Sequence, residues 1–310
     1  MPGIKTFTWR GEKISSLVLG TVQLGLDYGI ANSQGRPSDE QATELVGAAW
    51  KGGISFFDTA QAYGDSETVL GKTMGALGIA NSAKVISKIS PALSPKDLPA
   101  ISASVEESIN RLGVKQLWGL MLHRTEWLDS WKEGLGELLE GMRKSGKVRY
   151  LGVSVYSPEE AKRALETEGI DMIQVPCSAW DQRMTSSGMF GLAKKMDKLC
   201  FVRSIYLQGL LLMSPDEVQK KIPSAYKASM KWCSIAREHG LTRAELAAKF
   251  AKSLDFPVVA GMENAEQAKE NIKLFSARAL GTRTAHEIRD ALSPMLTDEI
   301  INPSKWNIQK

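Results

Sequence analysis

The chain has 310 residues, an ordinary globular composition and a formal net charge of +4. This size suits one α/β barrel, and the mild, dispersed positive charge makes nucleic acid a poor default partner. The cysteines lie far apart and outside any Cys-x-x-Cys pair, which argues against a disulfide framework and favours a reducing cytoplasm. They are Cys177, Cys200 and Cys233.

Export, membrane insertion and metal binding find no support in the sequence. Residues 1–16 contain no apolar stretch of the kind that a cleaved export signal carries. The most apolar window, residues 199–213, is too short for a membrane helix and contains Arg203. No histidine pair has the spacing of zinc ligands, so no metal is expected.

The first elements along the chain are two short strand-like runs around Arg10 and Gly11, which predict a β-hairpin that covers one end of a barrel. Eight apolar runs follow and alternate with longer segments of helical spacing, a pattern typical of βαβ units around a parallel sheet. The predicted strands are residues 17–21, 55–59, 84–89, 117–123, 150–155, 172–177, 200–204 and 257–261.

Helix signals support the same pattern. Ser38 is placed to cap one helix, Pro158 stands in the first turn of another, and residues 276–292 predict an additional C-terminal helix. Eight units are the number that a closed (β/α)8 TIM barrel needs, so one domain over residues 1–310 is predicted. An open doubly wound sheet is the alternative, but its G-x-G-x-x-G fingerprint does not follow the first strand.

Four residues able to carry chemistry fall at predicted strand ends or in the loop just beyond one. They are Asp58, Tyr63, Lys88 and His123. The carboxyl ends of barrel strands form the active-site face, so these side chains are expected to converge there. Taken singly, each also has an ordinary structural alternative in a turn, in packing or at a strand end.

Together the four residues form a set suited to carbonyl reduction. A nearby ammonium lowers the pKa of a phenol, so Lys88 is expected to make Tyr63 a stronger acid. Asp58 would hold Lys88 through a charge-assisted hydrogen bond. His123 would donate a hydrogen bond that orients the carbonyl oxygen. Given a hydride source, this set converts a carbonyl to an alcohol.

Several motifs, in order along the chain, resemble the aldo-keto reductase family. FFDTAQAYGDSE at 56–67 is similar to the family's Asp-Thr-Ala…Tyr-Gly segment, and ISK at 86–88 is similar to its strand-three lysine. The runs SINRLGVKQLWGLMLHR at 108–124 and GKVRYLGVSVYSPEEA at 146–161 are similar to two further family motifs. The resemblance spans nearly the whole chain. It implies a (β/α)8 barrel that binds NADPH, or sometimes NADH, without a Rossmann domain.

The resemblance also implies roles for individual residues. Tyr63 would be the general acid in reduction, Lys88 and Asp58 would adjust its pKa, and His123 would orient the substrate. A groove would hold the nicotinamide, the pyrophosphate and the adenosine of the cofactor. The residues implied for this groove are Gly20, Thr21, Asp58, Ser154, Gln174, Arg203, Ser204, Tyr206, Gln208, Gly209, Gly261, Met262, Glu263, Gln267, Glu270 and Asn271.

Two places depart from the family pattern. Arg203 stands where the family usually has an aromatic residue against the nicotinamide, and its planar guanidinium can stack in a similar way. Glu263 and Gln267 stand where members that prefer NADPH often carry basic residues. A carboxylate opposes a 2′-phosphate but accepts hydrogen bonds from ribose hydroxyls. NADPH is therefore the family expectation, with NADH as a nearly equal alternative.

The loops beyond the strands supply candidate walls for a substrate pocket over Tyr63, namely Gln23, Leu26, Tyr28, Trp127 and Trp180. The sequence thus predicts a cytoplasmic NAD(P)H-dependent oxidoreductase that reduces a small carbonyl compound, such as a sugar or a small aldehyde. A nicotinamide-binding regulatory subunit of the same fold, with little turnover, is the main alternative. A barrel lyase that forms a Schiff base on Lys88 is a further one.

Overall fold

The computed structural model describes residues 4–32 and 34–306. Residues 1–3 of the segment considered as an export signal lie outside this description. The strands are β1 (Thr6–Trp9), β2 (Glu12–Ser15), β3 (Leu17–Gly20), β4 (Phe56–Asp58), β5 (Lys84–Ile89), β6 (Leu117–Leu122), β7 (Val148–Ser154), β8 (Met172–Pro176), β9 (Leu199–Arg203) and β10 (Val258–Gly261).

Strands β3 to β10 form a closed parallel barrel, which confirms the predicted (β/α)8 fold. Each strand pairs with its neighbours in chain order, and β10 closes the ring by pairing with β3 from Val258–Leu17 to Gly261–Gly20. Each predicted apolar run overlaps one barrel strand, with ends that differ by at most two residues. One domain over residues 1–310 stays a prediction, and residues 1–3, 33 and 307–310 lie outside the described chain.

Helices surround the barrel and connect its strands. They are α1 (Val22–Gly25), α2 (Asp39–Lys51), α3 (Ser66–Ala76), α4 (Leu98–Leu112), α5 (Leu135–Lys144), α6 (Pro158–Glu166), α7 (Arg183–Ser186), α8 (Met189–Lys195), α9 (Pro215–Lys221), α10 (Tyr226–Glu238), α11 (Arg243–Ser253), α12 (Ala265–Ser276), α13 (Thr282–Leu292) and α14 (Asp298–Ile301). Short 3-10 turns cover Thr125–Glu133, Leu207–Leu212, Pro223–Ala225, Ser293–Met295 and Pro303–Lys305. No helix within 4–32 or 34–306 is long and apolar enough to span a bilayer.

Local sequence signals account for several helix boundaries. Ser38 caps α2 in a reciprocal capping box with Gln41, and Ser157 caps α6, whose first residue is Pro158. The additional C-terminal helix is α13, within the predicted segment. The series α9, α10 and α11 between the last two barrel strands was not resolved into separate helices from the sequence.

The N-terminal hairpin closes the amino-terminal end of the barrel, as predicted. Arg10 and Gly11 form its turn with φ angles of 46° and 77°, which suits the twist of the paired strands. Trp9 packs against Tyr150 and Trp118 near the starts of β7 and β6, with ring centroids 4.8 and 6.4 Å apart. The opposite, carboxyl-terminal end is therefore the end open to a ligand.

Candidate active site

A change from apolar to polar side chains inside the barrel creates the site. Side chains two residues apart on a strand face the same side. On four strands an apolar residue of the barrel interior is followed, two positions later, by a polar or charged residue near the carboxyl end. These pairs are Phe56 and Asp58, Ile86 and Lys88, Met172 and Gln174, and Phe201 and Arg203. The alternation of side chains along the strands thus places a polar layer at the carboxyl end, next to an apolar layer deeper in the barrel interior.

Asp58 and Lys88 form a buried ion pair in this layer, with only 3% and 1% of their surfaces exposed. The Nζ atom of Lys88 lies 2.8 and 2.7 Å from the two carboxylate oxygens and donates a further bond to the carbonyl oxygen of Thr59. Gln174 Nε2 donates to Asp58 Oδ1 at 2.7 Å. Burial lowers the pKa of Lys88, and Asp58 acts against this shift. The pair is fully hydrogen-bonded, as a buried pair must be.

Tyr63 lies in the loop after β4, directly beside this pair. The Lys88 Nζ atom is 5.1 Å from the centroid of the Tyr63 ring. Helix α1 holds the loop from outside, because a Cβ atom on Gly25 would come within 1.8 Å of the Tyr63 carbonyl oxygen. Ser66 ties the same loop to β3 by donating to the Thr21 carbonyl oxygen at 2.7 Å. Backbone packing therefore fixes where the phenol stands.

The pKa of Tyr63 is raised rather than lowered, contrary to the expectation from Lys88. Burial is the largest cause, and the Asp58 carboxylate is the next. Lys88 donates hydrogen bonds to both oxygens of that carboxylate, so the phenol lies beside both charges of the pair and not beside an isolated ammonium. Arg203 is the group that acts in the lowering direction. At neutral pH the phenol is therefore protonated and able to donate.

His123 stands across from Tyr63, with ring centroids 6.0 Å apart and planes at 87°. Burial, Lys88 and Arg203 lower the pKa of His123 to about 4, so its imidazole is neutral at pH 7. Its buried Nδ1 atom has no hydrogen-bond partner within the described chain. The structure thus brings Asp58, Tyr63, Lys88 and His123 together, although their catalytic roles stay a prediction.

A cavity of about 470 Å³ opens above the four residues and continues as a groove past the ends of β3, β9 and β10. With one exception, the residues implied for cofactor binding line this cavity. The exception is Met262, which is buried in the hydrophobic core. Among the predicted substrate-pocket residues, Gln23 and Tyr28 line the cavity.

The other predicted pocket walls are corrected by the structure. Trp127 and Trp180 are 5% and 3% exposed and belong to the core between barrel and helices, so neither lines the cavity. Leu26 is exposed and packs near Gly64, outside the cavity lining. Both tryptophans pack into the hydrophobic core, which their sequence position does not indicate. Sequence reasoning missed Tyr156, which lines the cavity and lies two residues beyond Ser154, at the same barrel end.

The far end of the groove carries a network of neutral and acidic side chains. Tyr206 Oη bonds Asn271 Oδ1 at 2.6 Å, and Asn271 Nδ2 donates to the carbonyl oxygen of Gln267. Gln267 in turn accepts from the Glu263 backbone amide and donates to its carboxylate. Glu270 also lines this end. Hydrogen-bond acceptors therefore outnumber cations here.

No group of three or more histidine, cysteine, aspartate or glutamate side chains suited to a metal ion occurs in the described part of the chain. The polar layer at this end of the barrel contains the Asp58–Lys88 ion pair, the protonated phenol of Tyr63, the neutral imidazole of His123 and the Arg203 guanidinium, beside an elongated groove.

The fold and this layer define a (β/α)8 barrel with its site at the carboxyl ends of the strands. Residues 16–292 match the model of the aldo/keto reductase family, so the chain belongs to that family. Family membership makes the protein an oxidoreductase of a class that binds nicotinamide cofactors and acts on small carbonyl compounds.

Individual relatives are distant. The chain is 25% identical over 278 residues to aldo-keto reductase str7 of Strobilurus tenacellus, covering 82% of this chain and 81% of that protein. It is 24% identical over 302 residues to L-galactose dehydrogenase of Arabidopsis thaliana, covering 92% of each. The structure of aldo-keto reductase AKR11C1 from Bacillus halodurans, in its holo form, superposes with a TM-score of 0.76 at 20% identity, covering 96% and 100% of the two chains. That structural likeness supports the fold.

Proposed function

We propose that this protein uses NADH or NADPH to reduce an aldehyde or ketone to an alcohol, with Tyr63 as the general acid. The observation that carries the proposal is the placement of a protonated phenol between a buried Asp58–Lys88 pair and a neutral His123, at the floor of one cavity. A sugar or small aldehyde in the cytoplasm remains the expected kind of substrate and location.

The groove fits a nicotinamide dinucleotide. Gly20 and Gly261 line it at paired strand ends, and a Cβ atom on Gly261 would come within 2.3 Å of the Gln23 side chain. The Oε1 atom of Gln23 lies in this lining without a partner in the described chain. Ser154 and Gln174 would hold the carboxamide, and Tyr206 and Asn271 would meet the adenosine.

The chain's own groups would act on the carbonyl in the following way. The bound cofactor supplies the hydride that reaches the carbonyl carbon. His123 donates an N–H bond to the carbonyl oxygen and orients it. Tyr63 Oη gives its proton to that oxygen as negative charge develops there, which yields the alcohol. Lys88 and Asp58, hydrogen-bonded to each other and buried, would support the phenol ring from one side and fix its position.

Purified protein mixed with NADH or NADPH and an activated aldehyde such as 4-nitrobenzaldehyde tests the proposal. We expect loss of cofactor absorbance with formation of an equal amount of alcohol. Bound cofactor without turnover over a panel of aldehydes and ketones would contradict it and favour a regulatory subunit. Borohydride trapping of a carbonyl compound on Lys88 would instead favour a lyase.

The adenosine end favours NADH over NADPH. Glu263 and Glu270 line it, and in the described chain Arg203, at the other end, is the one cation lining the cavity. Lys269 is 66% exposed on its side chain and bonds Glu266 at 3.4 Å, on the solvent side of α12. A dianionic 2′-phosphate would meet carboxylates without a cation, which is unfavourable, whereas ribose hydroxyls can donate to Glu263.

Replacing Glu263 with glutamine is expected to lower the Kd for NADPH by about tenfold, because one carboxylate charge beside the 2′-phosphate is removed. The Kd for NADH should rise slightly as a ribose acceptor weakens. Fluorescence titration with each cofactor measures both constants. Glu266→Gln is the matched control, because Glu266 is an exposed glutamate three residues away in the first turn of α12 and its replacement should change neither constant. A wild-type protein that strongly prefers NADPH would contradict the assignment of Glu263.

A further inference from the structure

Arg203 brings an unpaired positive charge into the reactive end of the cavity. It is the last residue of β9, and its Nη2 and Nη1 atoms donate to the Val155 carbonyl oxygen and to Ser204 Oγ, each at 3.2 Å. Its guanidinium carbon lies 4.4 Å from the centroid of the Tyr156 ring. These three partners are neutral, and no ion pair involves Arg203 within the described chain. The cation is thus held in place without being neutralised.

The neighbouring groups do not cancel this charge. Both oxygens of Asp58 bond Lys88, so that pair is neutral as a unit. His123 is uncharged at pH 7, and Tyr63 is protonated. The field of Arg203 reaches both rings, because it lowers the pKa of each. The formal charges of these groups therefore sum to a positive value through Arg203, although Asp58 acts more strongly on Tyr63, and Lys88 more strongly on His123, than Arg203 does.

The nicotinamide ring must lie inside this field if the protein reduces carbonyls. Hydride transfer requires the donor carbon to come within about 3 to 3.5 Å of the carbonyl carbon. The oxygen of that carbonyl must contact the Tyr63 hydroxyl to receive its proton. The ring is cationic when oxidised and neutral when reduced, so a fixed positive charge nearby acts mainly on the oxidised form.

We propose that Arg203 makes this protein bind the reduced cofactor more tightly than the oxidised one, and so biases it towards carbonyl reduction. The inference rests on the proposed function for the position of the ring. A ligand shifts an equilibrium only through its different affinity for the two states, and here the guanidinium supplies that difference. Release of the oxidised cofactor after turnover is favoured by the same repulsion.

The ratio of two dissociation constants tests this proposal without any turnover. In the wild-type protein we expect the Kd for NAD⁺ to exceed that for NADH by about tenfold. Arg203→Gln should bring this ratio close to one, whereas Arg203→Lys should retain most of it because the charge remains. The measurement is repeated with NADP⁺ and NADPH, since each pair differs by the same ring charge.

Two controls separate charge at the ring from other effects. ADP-ribose lacks the nicotinamide, so its Kd should be the same in wild-type protein and Arg203→Gln. Arg124→Gln should leave the NAD⁺ to NADH ratio unchanged, because Arg124 is exposed and outside the cavity lining although its charge also reaches His123.

Three results would overturn the inference. One is a wild-type ratio near one, and another is a ratio that survives in Arg203→Gln. The third is an equal loss of affinity for ADP-ribose and NADH in that variant, which would place Arg203 on the pyrophosphate. A selective loss of activity on carboxylate- or phosphate-bearing aldehydes with an unchanged ratio would assign it to an anionic substrate instead. Failure of the proposed function would give a different result from all of these. The ratio of the Kd values for NAD⁺ and NADH would still depend on Arg203, while no carbonyl compound would be reduced.

Discussion

Tyr63→Phe is expected to lower kcat for aldehyde reduction by about a thousandfold, because the variant has no proton to give to the developing alkoxide. The ring remains, so its packing beside Lys88 and opposite His123 should be preserved. We expect the Kd for NADH to stay within about twofold of wild type, since one hydroxyl at the edge of a long groove is removed. Steady-state kinetics with 4-nitrobenzaldehyde and fluorescence titration of NADH measure the two quantities.

The pH dependence of the wild-type protein provides a second test of the acid. A pKa of Tyr63 raised by burial and Asp58 keeps the phenol protonated throughout roughly pH 6 to 9, so the rate of reduction should not fall through loss of this proton in that range.

Tyr226→Phe is the matched control for Tyr63→Phe. It removes a phenol hydroxyl from α10, outside the cavity lining, and should leave kcat unchanged. Full activity in Tyr63→Phe, with wild-type folding, would refute the assignment.

Asp58→Asn is expected to reduce the free energy of unfolding by about 3 to 5 kcal/mol, because it leaves a buried ammonium without its counter-charge. Lys88 has 1% of its surface exposed and donates two of its three hydrogen bonds to this carboxylate. Lys88→Met should reduce the free energy of unfolding by a similar amount, because it leaves a buried carboxylate without its counter-charge. Gln174 would then be the side chain that still donates to Asp58. Urea denaturation of each variant measures the loss.

The double variant Asp58→Asn with Lys88→Met shows whether the cost comes from pairing. Removing both charges leaves no unpaired ion, so the double variant should be destabilised by clearly less than the sum of the single changes. Glu266→Gln is a suitable control, because its pair with Lys269 is exposed and contributes about 1 kcal/mol or less. Additive losses, or single losses as small as that control, would show that the buried pair is not coupled in this way.

The positions of Asp58, Lys88 and Gln174 were accessible from the sequence because a strand alternates its side chains between two faces. An apolar run that ends in a charged residue therefore indicates both the strand and the end where the charge stands. The order of eight such runs with intervening helices is likewise a local pattern, and it predicted the barrel. Tyr156 lies just beyond the end of β7, where this alternation no longer applies, and the sequence analysis overlooked it.

The sequence misled where the surroundings of a side chain matter more than its place in the chain. Trp127 and Trp180 follow strand ends and were expected at the cavity, yet the structure buries both in the core. The direction of a loop side chain depends on which helices pack beside it. The predicted direction of the Tyr63 pKa shift was wrong for a related reason, because burial and then the nearby Asp58 carboxylate raise this pKa, and both depend on the tertiary packing.

The sequence by itself determined the eightfold βα pattern, the capping of several helices and the resemblance to a reductase family, because each depends on residues close together in the chain. The tertiary structure alone decided that Lys88 is paired with Asp58, that burial raises the pKa of the Tyr63 phenol, and that Arg203 has no ion-pair partner within the described residues. These properties arise from burial and from distances between different strands. Electrostatic energies change steeply with both, and neither quantity is encoded in local spacing.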